Sequence, residues 1–400
     1  MIRTLLFFSA LLISPFAYTL SQQGYFGAQL GPDESGQGIT IVSALPDSPA
    51  DKAGIMTDDV ILSVDGQNFK DVELLAAYLR NAGAKTTVEV VLQRAATTHT
   101  KTLTLGINPW QGADQADPSP GMYKVTITQD LVYTLPDAEG SDLHERHVLD
   151  FYLPESDQPV PAMVWVHGGG WSFGDKTNER NLALRFAERG VAVAVINYRL
   201  SSGRWATDDA PEEGVTHPEH AKDVAAAFAW LHKHAAKYGL DTKRLYISGH
   251  SAGGHLAALL ATDEQFLRAE GLSFDSLAGV LPIGGAYDIP DYHAALMASD
   301  PELGQAHIHA VFGNTKEQWE VASPTQFIHL SSLPMLVIVE EQAGFQRYAN
   351  RLRLAAEAAN RSNIEFLHAA GRTHGNILLL MSGRHKDVIR AQMITFMQNT

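Results

Sequence analysis

At 400 residues the chain exceeds what one hydrophobic core usually encloses, so two domains are expected. Its 45% apolar and 19% charged composition is that of an ordinary globular chain, and a net charge of −15 with no basic, aromatic-interleaved run argues against a nucleic-acid partner. The absence of cysteine excludes disulfides, thiol nucleophiles and cysteine-ligated metals.

The first element is a short positive start, Met1-Ile2-Arg3, followed by an almost unbroken apolar run over residues 4–16. Small or polar residues follow at Ala17, Thr19 and Ser21, where a signal peptidase could cut. The run is shorter than the ~20 residues of a spanning helix. Residues 1–21 are therefore expected to be a cleaved export signal, with the mature chain periplasmic or secreted. No later stretch is long and apolar enough to span a membrane.

Residues 22–106 form a module of short apolar runs at 39–42, 60–64, 88–92 and 103–105. One amphipathic helix is expected at 72–80, with Val72, Leu75, Ala76 and Leu79 on one face. Such a pattern suits a small α+β or barrel-like module. Residues 107–122, rich in proline, glycine and aspartate, read as a linker. The module resembles a PDZ domain of the bacterial, protease-associated type. The resemblance rests on Gly24-Tyr25-Phe26-Gly27-Ala28, on Leu45-Pro46-Asp47-Ser48-Pro49-Ala50-Asp51-Lys52-Ala53-Gly54-Ile55, and on Asp58-Asp59-Val60 through Gly66. It implies that Tyr25, Phe26, Gly27 and Ala28 present backbone N–H groups to the carboxylate of a protein C-terminus. The peptide would add as a strand beside the helix that begins near Val72. A PDZ fold kept only for packing or dimerisation is the alternative.

Residues 123–400 alternate strands and helices. Two antiparallel starting strands are expected at 124–131 and 148–153, then a buried strand at 161–166, a helix near 178–189 and a strand at 191–196. A long helix near 219–234, a strand over 244–248 and a helix from 254 follow. Strands at 277–283 and 335–339, a helix near 345–360, a short strand at 365–367 and a terminal helix from about 386 complete the pattern. The expected class is α/β, a mostly parallel sheet covered by helices on both faces. Its reactive groups should lie at the carboxyl ends of the strands.

Two motifs lie at such ends. Gly249-His250-Ser251-Ala252-Gly253 joins a strand to a helix by a sharp turn that pushes the serine oxygen above the sheet. His167-Gly168-Gly169-Gly170-Trp171 follows another buried strand, and its glycines let backbone N–H groups approach a reacting carbonyl. Ser251 is thus the candidate nucleophile, and the amides of Gly169, Gly170 and Ala252 are the candidate oxyanion donors. His167 is expected to brace the loop.

These motifs, with Asn197-Tyr198-Arg199-Leu200, His217-Pro218, Asp223, Ser323-Pro324 and Arg372-Thr373-His374-Gly375, resemble an α/β-hydrolase. The resemblance is to the carboxylesterase and hormone-sensitive-lipase-like group, close to arylformamidase-type hydrolases. It implies the chain order serine, acid, histidine, and it puts the base at His374. The acid departs from the family pattern, because the aligned position falls on Ala343. Glu341 is the first choice, then Glu340, then Asp288; a site without an acid is the remaining alternative. His307 and His309 have strand-like spacing but no further ligand, and are expected to be exposed. Residues 201–216 read either as an exposed flap near the site or as a plain surface loop. No cofactor or metal is expected. The reading is an exported serine carboxylesterase for a small ester or amide. A peptidase-like hydrolase with substrate capture by the PDZ, and a weakened binding protein, are the alternatives.

Overall fold

A computed structural model describes residues 24–400, except 34, 46–47, 108–121, 135–143, 208–209 and 384–386. The export segment expected at 1–21 and nearly all of the linker expected at 107–122 lie outside the described residues. The chain divides into two compact units, Met1–Gln111 and Gly112–Thr400.

In the first unit β1 (Gly24–Tyr25) pairs with β7 (Gly106–Ile107). The other strands are β2 (Ala28–Pro32), β3 (Ile39–Ala44), β4 (Val60–Val64), β5 (Thr87–Arg94) and β6 (Thr97–Thr104). They form an antiparallel sheet in the order β2-β3-β4-β5-β6, so β2 is an edge. The Ser48-to-Gly54 motif acquires a physical meaning here. Ser48 accepts from Asp51 N to cap α1 (Pro49–Lys52), with Pro49 in its first turn. The same hydroxyl donates to Gly27 O at 2.8 Å, tying the motif to the glycine loop. Gly27 has φ +83°, and a Cβ there would collide with Ser48. The helix expected at 72–80 is α2 (Val72–Ala82), which buries Leu75 and Leu79 in the module's core.

The second unit holds an eight-stranded sheet. Its members are β8 (Val125–Val132), β9 (Val148–Pro154), β10 (Val160–Val166), β11 (Ala192–Ile196), β12 (Leu240–His250), β13 (Gly279–Ile283), β14 (Met335–Glu340) and β15 (Ile364–Ala369). The spatial order is β15-β14-β13-β12-β10-β11-β9-β8. β8 and β9 pair antiparallel and β9 joins β11 antiparallel; the five remaining pairings are parallel. Every residue of β10 is buried, as a central parallel strand requires. Ala162, Val164 and Val166 face one core with α4 (Glu219–His234) and α5 (Ala252–Thr262). Met163 and Trp165 face the other, with α3 (Arg180–Ala187) and the helix Val388–Asn399.

The chain between β13 and β14 is richer in helix than its sequence pattern suggests. It carries helices at Ile289–Ser299, Pro301–Phe312, Lys316–Val321 and Pro324–Phe327. His307 and His309 sit in the second of these, whose start is capped by Asp300 and contains Pro301. Cap and proline outweigh the alternation that makes the pair look strand-like. His307 is buried and His309 half-buried, which corrects the expectation of two exposed histidines.

Candidate active site

The elbow forms where β12 meets α5. Ser251 has φ 57° and ψ −120°, a conformation that a residue with a side chain adopts at a cost. Its neighbours must be small. A Cβ at Gly249 would lie 2.6 Å from Val166 O, and one at Gly253 would overlap the same carbonyl. The Ser251 hydroxyl does not cap α5, which leaves it free to act outward.

The triple-glycine loop packs directly on the elbow. A Cβ at Gly168 would be 3.1 Å from Ser251 Cβ. Gly169 and Gly170 have φ +115° and +57°, and their carbonyls are engaged from behind. Gly169 O accepts from Ser172 N and Phe173 N, and Gly170 O accepts from His307 Nε2 at 3.3 Å. Among the described residues the amides of Gly169, Gly170 and Ala252 have no acceptor within the protein. Free N–H groups beside the candidate nucleophile Ser251 are what a developing oxyanion would require.

His167 is part of the frame. It is buried, stacks on Tyr198 at 4.4 Å, and lies 3.1 Å from Arg146 Nη2. Burial lowers its imidazole to about 4, so it remains neutral at working pH. The Asn197-to-Arg199 segment is structural too. Asn197 bonds Lys176 N and Asp175, and Arg199 grips Asp223 through its guanidinium and backbone amide.

The loop after β15 presents His374. Its backbone N–H donates to Gln342 Oε1 at 2.6 Å, and Arg372 N donates to Ala369 O. His374 Nδ1 lies 2.7 Å from Glu340 Oε2. The imidazole stacks on Phe345 at 3.8 Å and 9°, and its centre is 4.3 Å from the ring of His250, the residue before the serine. Glu340, fully buried, therefore stands against His374, and Glu341 does not. β14 runs one residue beyond the apolar stretch, to Glu340, which pairs with Ala369. Glu341 lies past the strand, turns outward and accepts from Gly371 N at 3.0 Å. Asp288 is engaged elsewhere, capping the helix Ile289–Ser299 and accepting from Thr325. Ala343 begins the helix Ala343–Ala358.

The second oxygen of Glu340 is also used. Glu340 Oε1 lies 3.1 Å from His250 Nε2. Burial on its own would raise the Glu340 carboxyl, but hydrogen bonds from His250 and His374 hold it below its ordinary value. Ligand-type atoms of the three side chains lie within 4.8 Å of one another, but a cation there would have to displace both N–H···O bonds. The sequence reading did not single out His250 as a partner of the acid. Its position in the chain, next to the candidate nucleophile Ser251, is the signal that could have suggested it.

The segment read as a flap is anchored rather than loose. Ser201 N donates to Trp171 O, Val215 N donates to Leu200 O, and Ser172 Oγ donates to Ser202 O. Trp205 donates to Ser172 Oγ and stacks on His307 at 3.9 Å. A Cβ at Gly170 would be 3.1 Å from the Trp205 ring, so this aromatic pair flanks the glycine loop.

Comparison with known proteins agrees with this architecture. The PDZ domain family model matches residues 40–94, and the BD-FAE family model matches residues 149–345. The chain carries a PDZ domain and an α/β-hydrolase domain. The hydrolase domain is similar to esterase LipC of Mycobacterium tuberculosis, 31% identical over 239 residues, which are 56% of this chain and 54% of the relative. It is also similar to carboxylic ester hydrolase LipN of the same organism, 34% identical over 148 residues, 36% of this chain and 34% of the relative. The chain thus spans about half or less of the curated relatives it matches. Among solved structures, an inhibited esterase B from Lactobacillus rhamnosis aligns with TM-score 0.57 at 19% identity, covering 73% of this chain and 91% of that one. A truncated carbohydrate esterase from gut microbiota aligns with TM-score 0.54 at 21% identity, covering 70% and 98%. At these identities the structural likeness speaks to fold.

Proposed function

We propose that the α/β-hydrolase domain is a serine carboxylesterase acting on a small ester or amide. The observation that carries this reading is the Glu340–His374 pair, whose imidazole packs on His250, the residue before a strained Ser251. Naming of the curated relatives as esterases and carboxylic ester hydrolases supports it. In this reading the Ser251 hydroxyl attacks the ester carbonyl as His374 Nε2 accepts its proton. Glu340 holds the Nδ1 proton, which fixes the tautomer and stabilises the imidazolium that forms. The amides of Gly169, Gly170 and Ala252 receive the oxyanion. His374 returns its proton to the departing alcohol or amine, leaving an acyl-enzyme that water then cleaves by the same route. Wild-type protein should be labelled by a fluorophosphonate probe and should hydrolyse part of a panel of short-to-long acyl p-nitrophenyl esters. Absence of both labelling and turnover would overturn the reading.

For the PDZ domain we propose capture of a protein C-terminus. Strand β2 is a sheet edge and α2 packs against it, the layout in which an extended peptide adds as a further strand. Residues 71–73, Asp-Val-Glu, start the helix without a histidine to read a side-chain hydroxyl. Binding of labelled C-terminal peptides should be lost when the terminal carboxylate is amidated. The apolar N-terminal run supports export as a further part of the proposal, to be tested by N-terminal sequencing of the mature protein from periplasm and medium.

A further inference from the structure

We propose that His250 is a positioning residue, which clamps the Glu340 carboxylate so that its other oxygen is aimed at His374. The inference rests on the serine-hydrolase reading above and goes beyond it, since a serine, a base and an acid do not by themselves require a second histidine.

Four observations converge on this role. Glu340 is fully buried, and its two oxygens are divided between two imidazoles, Oε2 to His374 at 2.7 Å and Oε1 to His250 at 3.1 Å. Without His250, Oε1 would have no donor among the described residues, and a glutamate has one more side-chain torsion to fix than an aspartate. Second, His250 is the last residue of β12 and is bonded through its own backbone to Ser251. The strand that places the nucleophile therefore also places the acid, which comes from β14 across the intervening β13. Third, His250 and Phe345 pack on His374 with ring centres 4.3 and 3.8 Å away. Phe345 lies parallel to the imidazole at 9° and His250 leans on it at 33°, so two rings pack on His374. Fourth, burial lowers the His250 imidazole despite its bond to Glu340, which leaves it a neutral N–H donor. Among the described residues Tyr287 is a further titratable group facing the carboxylate; burial pushes its phenol up and its oxygen accepts from Gly285 N.

The test compares His250→Phe, which keeps a ring and loses the donor, with His250→Gln, which can restore an N–H near the Nε2 position. Both are made in the full chain and assayed on one short-acyl p-nitrophenyl ester across pH. His250→Phe should lower kcat by about 10- to 100-fold with KM within about two-fold, because a misplaced catalytic pair loses rate and not affinity. The acidic limb of its kcat/KM profile should move up by about half a pH unit or more. Glu340 loses one of the hydrogen bonds that hold its carboxyl low, and that carboxylate is bonded to the base. His250→Gln should recover most of the rate and return the limb. The inference is overturned if His250→Phe matches wild type in rate and limb. It is equally overturned if both variants lose rate alike with an unmoved limb and a lowered Tm, the signature of packing alone. Failure of the underlying reading looks different, since wild-type protein would then show neither probe labelling nor turnover.

Discussion

Gly284 makes room for Glu340: a Cβ at Gly284 would stand 2.5 Å from Glu340 Oε1. Gly284 also has φ +55°, so it is doubly suited to glycine at the end of β13. Gly284→Ala should push the carboxylate off both imidazoles and lower kcat by about 100-fold, the scale expected for a misplacement near 1 Å. Measured kcat close to wild type, in protein of normal circular dichroism, would show that the carboxylate has another stable seat.

The two adjacent glutamates separate cleanly by experiment. Glu340→Gln should reduce kcat by roughly 10³–10⁴-fold with little change in KM, since it removes the group that holds the His374 tautomer. Glu341→Gln should cost less than about ten-fold, because Glu341 only ties down the loop at Gly371. A reversed order of the two variants would mean that the loop carrying His374 rearranges in solution.

Much of this was legible in the sequence because the decisive signals are local. The elbow glycines, the glycine loop after β10 and the alternation of strands with helices each state their own geometry. Glu340 was harder. An apolar run of Met335 to Val339 does not say whether the strand stops there or continues, and that one residue decides which glutamate faces inward. The pairing of Glu340 with Ala369 is a long-range fact, as is the space left at Gly284. His307 departs from its expected place for a related reason. Two histidines at spacing two suit a strand, yet Asp300 and Pro301 start a helix whose buried face closes on Gly170.

Glu179 offers a pH test independent of catalysis. It is buried facing the Trp165 indole, and burial raises its carboxyl to about 7. Between the ordinary carboxyl range and pH 7 the unfolded chain has released this proton while the folded chain retains it. The unfolded state then binds fewer protons, so stability falls as pH rises through that window. Glu179→Gln removes this dependence, and its gain over wild type should be larger at pH 7.5 than at pH 5, by an amount of the order of 2 kcal/mol. Equal Tm differences at the two pH values would show that Glu179 ionises normally.

Ser251 should display the conflict between stability and function most directly. Its φ of 57° with ψ −120° is strained for any residue bearing a Cβ, at a cost of about 1–3 kcal/mol. Ser251→Gly removes that strain, while the added freedom of the unfolded chain takes back only about 0.5–1 kcal/mol. Relief is the larger effect, so Ser251→Gly should raise the Tm of the hydrolase domain while abolishing turnover and probe labelling. Ser251→Ala keeps the Cβ and the strain, so it should be equally inactive but no more stable than wild type. Thermal unfolding of the three proteins side by side decides the matter. A Ser251→Gly Tm at or below that of Ser251→Ala would mean that the elbow is not under strain, and the sharp turn would need another explanation.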